Sequence, residues 1–225
     1  MKVLIFGATG MVGSAVLLEC LESPAIESVL VVTRAPTGRA HPKLREIVHA
    51  DFWSYDSLRP EFAGVDACYF CLGVSSIGMD EARYTRMTYD LTLAAARVLR
   101  DVSPGAVFCY VSGVGTDSSE RGAIMWSRVK GRTENAVLAL GFRGAYMFRP
   151  GYIQPVKGAR SKTGWVNAAY TVLAPLTALL VAVFPRYIVT SAMMGQAMIQ
   201  VTAEGYDMPI LEPRDIVRAA RRRQA

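Results

Sequence analysis

The stretch KVLIFGATGMVG, residues 2–13, constrains this chain more than any other. KVLIF reads as a buried strand, three glycines interrupt it, and a helix-like run follows from about Val12 to Leu21. Each glycine has its own physical task. Gly7 permits the tight turn out of the strand, Gly10 lets an anion approach bare backbone, and Gly13 lets the helix pack close to the strand. A helix N-terminus offers unpartnered N–H groups and a partial positive charge. Gly7, Thr9, Gly10, Met11, Val12 and Gly13 therefore form a candidate phosphate cradle. Spaced glycines alone are a weak signal, but placed between a first strand and a first helix they point to a bound dinucleotide.

The rest of the chain repeats the alternation. SVLVVTR, REIVHAD, DACYFCLG, AVFCYVS and AYMFRPG read as further strands, and helices are predicted over roughly Glu81–Leu99 and Ala123–Leu140. Such alternation implies βαβ units and a mostly parallel sheet covered on both faces. The fold class read here is α/β, a Rossmann-type doubly wound parallel sheet with a small C-terminal substrate lobe. Residues 1–155 form the dinucleotide-binding core and residues 156–225 the smaller lobe of the same globular unit. In that last third, SAMMGQAMIQVTAEG reads as a helix ending near Gly205, and MPILEPRDIV as a late strand entering a final helix.

At 225 residues, 52% hydrophobic and 20% charged, the chain has enough apolar material for one sizeable core and is not disordered. Cys20, Cys68, Cys71 and Cys109 lie in apolar segments. Cys68 and Cys71, three apart on a strand, point to opposite faces, which argues for core thiols and against a metal. The net charge of +6 comes partly from Arg214, Arg218 and Arg221–Arg223, which read as a solvated helix end; no nucleic acid is expected as a partner. The first apolar run is shorter than the roughly 7–15 residues of a secretory core. A cytoplasmic protein, or one peripheral to a membrane, is the expectation.

The end of the second strand bears on the choice of dinucleotide. A carboxylate there commonly binds the adenosine ribose, yet none occurs from Leu30 through Lys43, and Arg34 stands in its place. A guanidinium suits a 2′-phosphate, so NADP(H) is favoured over NAD(H). Asp51 and Phe52 follow the third strand as candidates for the adenine, and Leu72 and Gly73 follow the fourth.

Together these residues resemble the short-chain dehydrogenase/reductase superfamily. The resemblance is to its atypical branch, the NAD(P)-binding proteins similar to nucleoside-diphosphate-sugar epimerases and Tat-interacting oxidoreductase. It is followed motif by motif over residues 1–155. It implies a catalytic role for Ser112, in VSG, and for Lys130, in the helix MWSRVKGRTENAV. It also implies cofactor contacts from Lys130 and from Pro150, Gly151, Tyr152 and Ile153 of the RPGYI loop. One residue departs from the pattern. Trp126 occupies the position of the family's tyrosine, whose phenol donates the proton, and an indole N–H has no accessible deprotonated form for such work. Tyr110 and Tyr152 are the candidate substitutes.

Three readings stay open. One is an NADP(H)-dependent oxidoreductase or epimerase-like enzyme with a different proton donor. Another is a non-catalytic NADP(H)-sensing or regulatory protein. The third, a membrane-surface or assembly protein, draws on residues 166–184, nineteen in succession without a charge but interrupted by Asn167, Tyr170, Pro175 and Thr177. That run is read as a buried or dimer-forming helix pair, as a membrane-surface contact or as a membrane span, and a homodimer and the identity of the small-molecule substrate stay open with it.

Overall fold

In the computed structural model, residues 1–156 and 189–222 are described. The chain runs β1 (Lys2–Phe6), α1 (Met11–Glu22), β2 (Ser28–Thr33), β3 (Leu44–Val48), α2 (Arg59–Phe62) and β4 (Ala67–Phe70). It continues with α3 (Glu81–Thr85), a π-helical turn over Arg86–Asp90, α4 (Leu91–Val102), β5 (Val107–Val111), α5 (Met125–Ala139) and β6 (Gly144–Phe148). After these come β7 (Ile153–Gln154), β8 (Val189–Thr190), α6 (Ser191–Glu204), β9 (Ile210–Leu211) and α7 (Pro213–Arg222).

Seven strands form one sheet in the order β3-β2-β1-β4-β5-β6-β9, with every neighbouring pair parallel. The order reverses beside β1, which opens the crevice at the carboxyl ends of β1 and β4 where open α/β sheets bind ligands. Strand alternation divides the core in two. Val3 and Ile5 of β1, with Ala67, Tyr69, Val107 and Cys109, face α1, α6 and α7. Leu4 and Phe6, with Cys68, Phe70, Phe108 and Tyr110, pack with Leu58, Phe62, Leu99 and Val137 from α2, α4, α5 and the turn before α2. Burial on both faces explains why these strands read as unbroken apolar runs. Cys68 and Cys71 do fall on opposite faces, and among the described residues no group of metal-binding side chains forms.

Two features go beyond the sequence reading. The helix expected over Glu81–Leu99 is interrupted by the π turn and runs on to Val102. The described part of the C-terminal third joins the sheet itself: β9 pairs with β6 (Met147 with Ile210, Phe148 with Leu211), and α6 lies across α1. Gly195 allows that crossing, since a Cβ there would stand 2.8 Å from the Cβ of Glu19. The apolar run 166–184 lies outside the described residues, and among those described no helix is long and apolar enough to cross a membrane.

Candidate cofactor and active site

The glycine turn is as tight as its sequence requires. Gly7 has φ +80°, and a Cβ on it would sit 2.7 Å from the backbone carbon and oxygen of Cys71, just past β4. A Cβ on Gly13 would lie 2.1 Å from the Gly7 carbonyl oxygen, so the first turn of α1 touches the loop backbone directly. Gly10 N–H donates to that same oxygen at 2.9 Å. At the head of α1, Gly10 provides no side-chain cap and no acidic residue occupies the first turn. No carboxylate of the cap or first turn of α1 competes for its leading N–H groups, which fits the diphosphate of a dinucleotide.

Beside the turn lies a cleft of ≈ 140 Å³. It brings together Arg34 after β2, Phe52 after β3, and Leu72 and Gly73 after β4, four of the residues that sequence alone had proposed. Phe52 is held edge-on to Phe6, with centroids 6.4 Å apart, and lends the cleft an aromatic wall. Asp51 instead accepts from the Trp53 N–H at 2.9 Å, bracing the loop that carries the aromatic residues. Trp53, Met87 and Leu91 also line the cleft and were missed. Met87 lies within the π turn, a local widening that no apolar periodicity announces.

On the other side, β5 and β6 extend their pairing into the loops beyond them. Ser112 N–H donates to the Phe148 carbonyl at 2.8 Å, and Val114 N–H to that of Pro150 at 3.0 Å. Lys130, from α5, reaches over this junction and its ammonium donates to the Ser112 carbonyl. Burial pushes the Lys130 ammonium pKa down to about 8, while the nearby Glu134 acts in the opposite direction. The Lys130 helix can come this close because Gly131 meets the loop before α5, where a Cβ would stand 1.8 Å from the Asp117 carbonyl oxygen. That loop is organised by the Asp117 carboxylate, which accepts from Ser119, Arg121 and Gly122.

The remaining predicted site residues separate. The Ser112 hydroxyl, buried, donates to Glu134 Oε1 at 2.5 Å and also lies 3.2 Å from the Phe148 carbonyl. Trp126 is half-buried and lays its indole on Gly115, its Cη2 3.4 Å from where a Cβ on that glycine would be. Tyr110 is in the core beside Phe70, and burial holds its phenol well above the usual range. Tyr152 stays 37% exposed beside the turn of the RPG loop, and the buried Ile153 pairs with Val189. Pro150 and Gly151 border the Gly113–Val114 backbone, close to the Lys130 ammonium. Glu134 and Arg149, which join this end of the sheet by an ion pair, were not singled out as site residues, although Glu134 follows Lys130 by one helical turn.

Residues 3–134 match the NAD dependent epimerase/dehydratase family. The chain belongs to that family. Among curated relatives of the chain, the protein fmp52, mitochondrial, of Aspergillus fumigatus is 32% identical over 181 residues, covering 77% of this chain and 74% of that protein. Its namesake from Emericella nidulans is 30% identical over 159 residues, 68% of this chain and 66% of that protein. Against such relatives the match spans about two thirds of their length. Their names, all mitochondrial, overturn the cytoplasmic expectation. The sequence reading had rested on a short first apolar run, and such a run bears only on secretion.

Solved structures of the family's fold superpose over almost the whole chain. The enzyme WbmH of Bordetella bronchiseptica, in complex with NAD+, aligns with a TM-score of 0.68 at 14% identity, covering 94% of this chain and 74% of that one. ADP-L-glycero-D-manno-heptose-6-epimerase of Helicobacter pylori aligns with a TM-score of 0.65 at 17% identity, covering 98% and 81%. At such identities the likeness establishes the Rossmann fold, whose nucleotide-binding end is the one described above.

Proposed function

We propose that this family member binds NADP(H) and acts as an oxidoreductase on an already electrophilic carbonyl or quinone-like acceptor, without a tyrosine acid. The observation that carries the reading is Lys130. It is retained in a buried seat against the carboxyl end of β5 while the tyrosine position has become Trp126, packed on Gly115. A bound nicotinamide would supply hydride. The chain's residues would do the rest: the head of α1 and the glycine turn hold the diphosphate, Arg34 meets the 2′-phosphate, and Lys130 holds the ribose. With its hydroxyl proton directed to Glu134, Ser112 is poorly placed to donate to a substrate oxygen. Little acid help is thus on offer from this edge, which is why an electrophilic acceptor suits the site. The relatives' names bring a mitochondrial setting into the proposal, open to test by fractionation of cells expressing the tagged chain.

Calorimetric titration with NADPH and NADH comes first, followed by NADPH oxidation over a carbonyl and quinone panel. Micromolar NADPH binding, much weaker NADH binding and turnover lost in Lys130→Ala support the reading. Turnover unchanged in that variant would sink it. A second reading, a cofactor sensor without turnover, is favoured by the inward-turned Ser112 hydroxyl together with Trp126. It takes over if NADPH binds tightly, no acceptor is reduced, and Trp126→Tyr brings activity back.

A further inference from the structure

Glu134 has no solvent exposure, and nothing in the proposed chemistry uses it. It stands one turn beyond Lys130 on α5, so the two side chains share a helix face. Ser112 Oγ donates to its Oε1 at 2.5 Å, and the Arg149 fork grips both oxygens, with Nε donating to Oε1 at 3.1 Å and Nη2 to Oε2. Arg149 is braced in turn by Ser118 Oγ at 2.6 Å and Glu212 Oε1 at 3.4 Å. The Lys130 ammonium donates to the carbonyl of the same Ser112. One residue at the end of β5 is thus held by Glu134 through its side chain and itself holds Lys130 through its backbone.

We propose that Glu134 is the positioning residue for Lys130: it ties down Ser112, whose carbonyl seats the ammonium, and places its negative charge on the same helix face. The inference rests on the reading that Lys130 meets the cofactor. Its electrostatic half has a definite sign. Burial lowers the Lys130 pKa to about 8 and Glu134 opposes it, so neutralising Glu134 lowers it further. The other groups facing this point are Arg149 at the end of β6, with Glu212 behind it, and Tyr110 on β5, kept protonated by burial, beside the buried Tyr84 of α3. Elsewhere on α5, Arg128 is paired with Glu81, and Arg132 lies over the Tyr89 ring.

The test is NADPH affinity, followed by tryptophan fluorescence of the full chain from about pH 6.5 to 9.5, a window in which the 2′-phosphate and ordinary carboxylates are already ionised. Wild type loses affinity above a pH of about 8, about tenfold per unit, and Lys130→Met abolishes that fall. In Glu134→Gln the fall begins about one unit lower, so that Kd at pH 8 is roughly fivefold weaker, and Glu134→Asp restores the wild-type onset. An unchanged onset in Glu134→Gln, where Lys130→Met has removed the fall, overturns the inference and leaves the cofactor reading standing. No NADPH binding, or a fall that persists in Lys130→Met, brings down the cofactor reading of Lys130 and the inference with it. Should circular dichroism show Glu134→Gln unfolded, Ser112→Ala decides, because it cuts the tie and keeps the charge. Affinity at pH 7 then drops about three- to tenfold with no downward move of the onset, and an unaltered affinity overturns the proposal.

Discussion

Gly13→Ala perturbs the cofactor turn by a single methyl group. That methyl would lie 2.1 Å from the Gly7 carbonyl oxygen, 2.6 Å from its carbon and 3.0 Å from Ala8 N, all backbone atoms. None of these is the end of a flexible side chain that can swing away. The first turn of α1 must therefore lift off the glycine loop by something near an ångström. Overpacking of this kind costs about 1–3 kcal/mol, and more where backbone resists. Against it stands the better helix propensity of alanine, worth about 1 kcal/mol. A net loss of about 2 kcal/mol corresponds to a fall in Tm of roughly 4–8 °C for a chain of this size. Lifting the helix also moves the N–H groups that would meet the diphosphate, so NADPH affinity falls by about tenfold or more. Differential scanning calorimetry and the NADPH titration read the two effects separately. Gly105→Ala, before β5 at the opposite end of the sheet, is the control, since a Cβ there meets nothing within 4 Å, and both quantities stay near wild type. A Gly13→Ala protein that melts and binds as wild type does would refute the close-approach argument.

Arg34→Ala weakens NADPH binding by about ten- to a hundredfold and leaves NADH nearly unaffected, which paired calorimetric titrations check. Arg149→Met strands the Glu134 carboxylate in the core and lowers stability by about 3–5 kcal/mol in urea unfolding; a loss below about 1 kcal/mol would show the ion pair to be dispensable. Asp117 has its pKa lowered to about 2, first by the Ser119 hydroxyl and then by the Gly122 N–H. Its hold on the loop before α5 is therefore complete above its ordinary value near 4 and lost as pH falls through about 2. Protection of the Ser119 and Gly122 amides, taken relative to their intrinsic exchange rates, falls over that window in wild type, and Asp117→Asn shows the same loss already at neutral pH.

The strand–glycine–helix unit was legible in the sequence because its signals are local. A five-residue apolar strand, glycines at fixed spacing and a helix within the same short stretch leave few other conformations. Alternation likewise announced the parallel sheet, and the carboxyl ends of β2, β3 and β4 delivered Arg34, Phe52, Leu72 and Gly73 to one cleft. The short α2 carried too few residues for a period to show, and the π turn has no sequence signature, so Met87 went unnoticed.

What the sequence by itself determined is the set of elements and the end of the sheet where a nucleotide is met, because strand and helix periods and glycine geometry act over a few neighbouring residues. Only the tertiary structure decided how the edge around Lys130 is wired. Ser112 reads as a substrate-facing hydroxyl until Glu134, twenty-two residues on, accepts its hydrogen bond. Arg149, fifteen further still, closes that buried contact with a fork that spacing could not reveal. A hydrogen bond or ion pair between distant residues depends on where two strands and a helix end in space, and packing, not local preference, sets those positions.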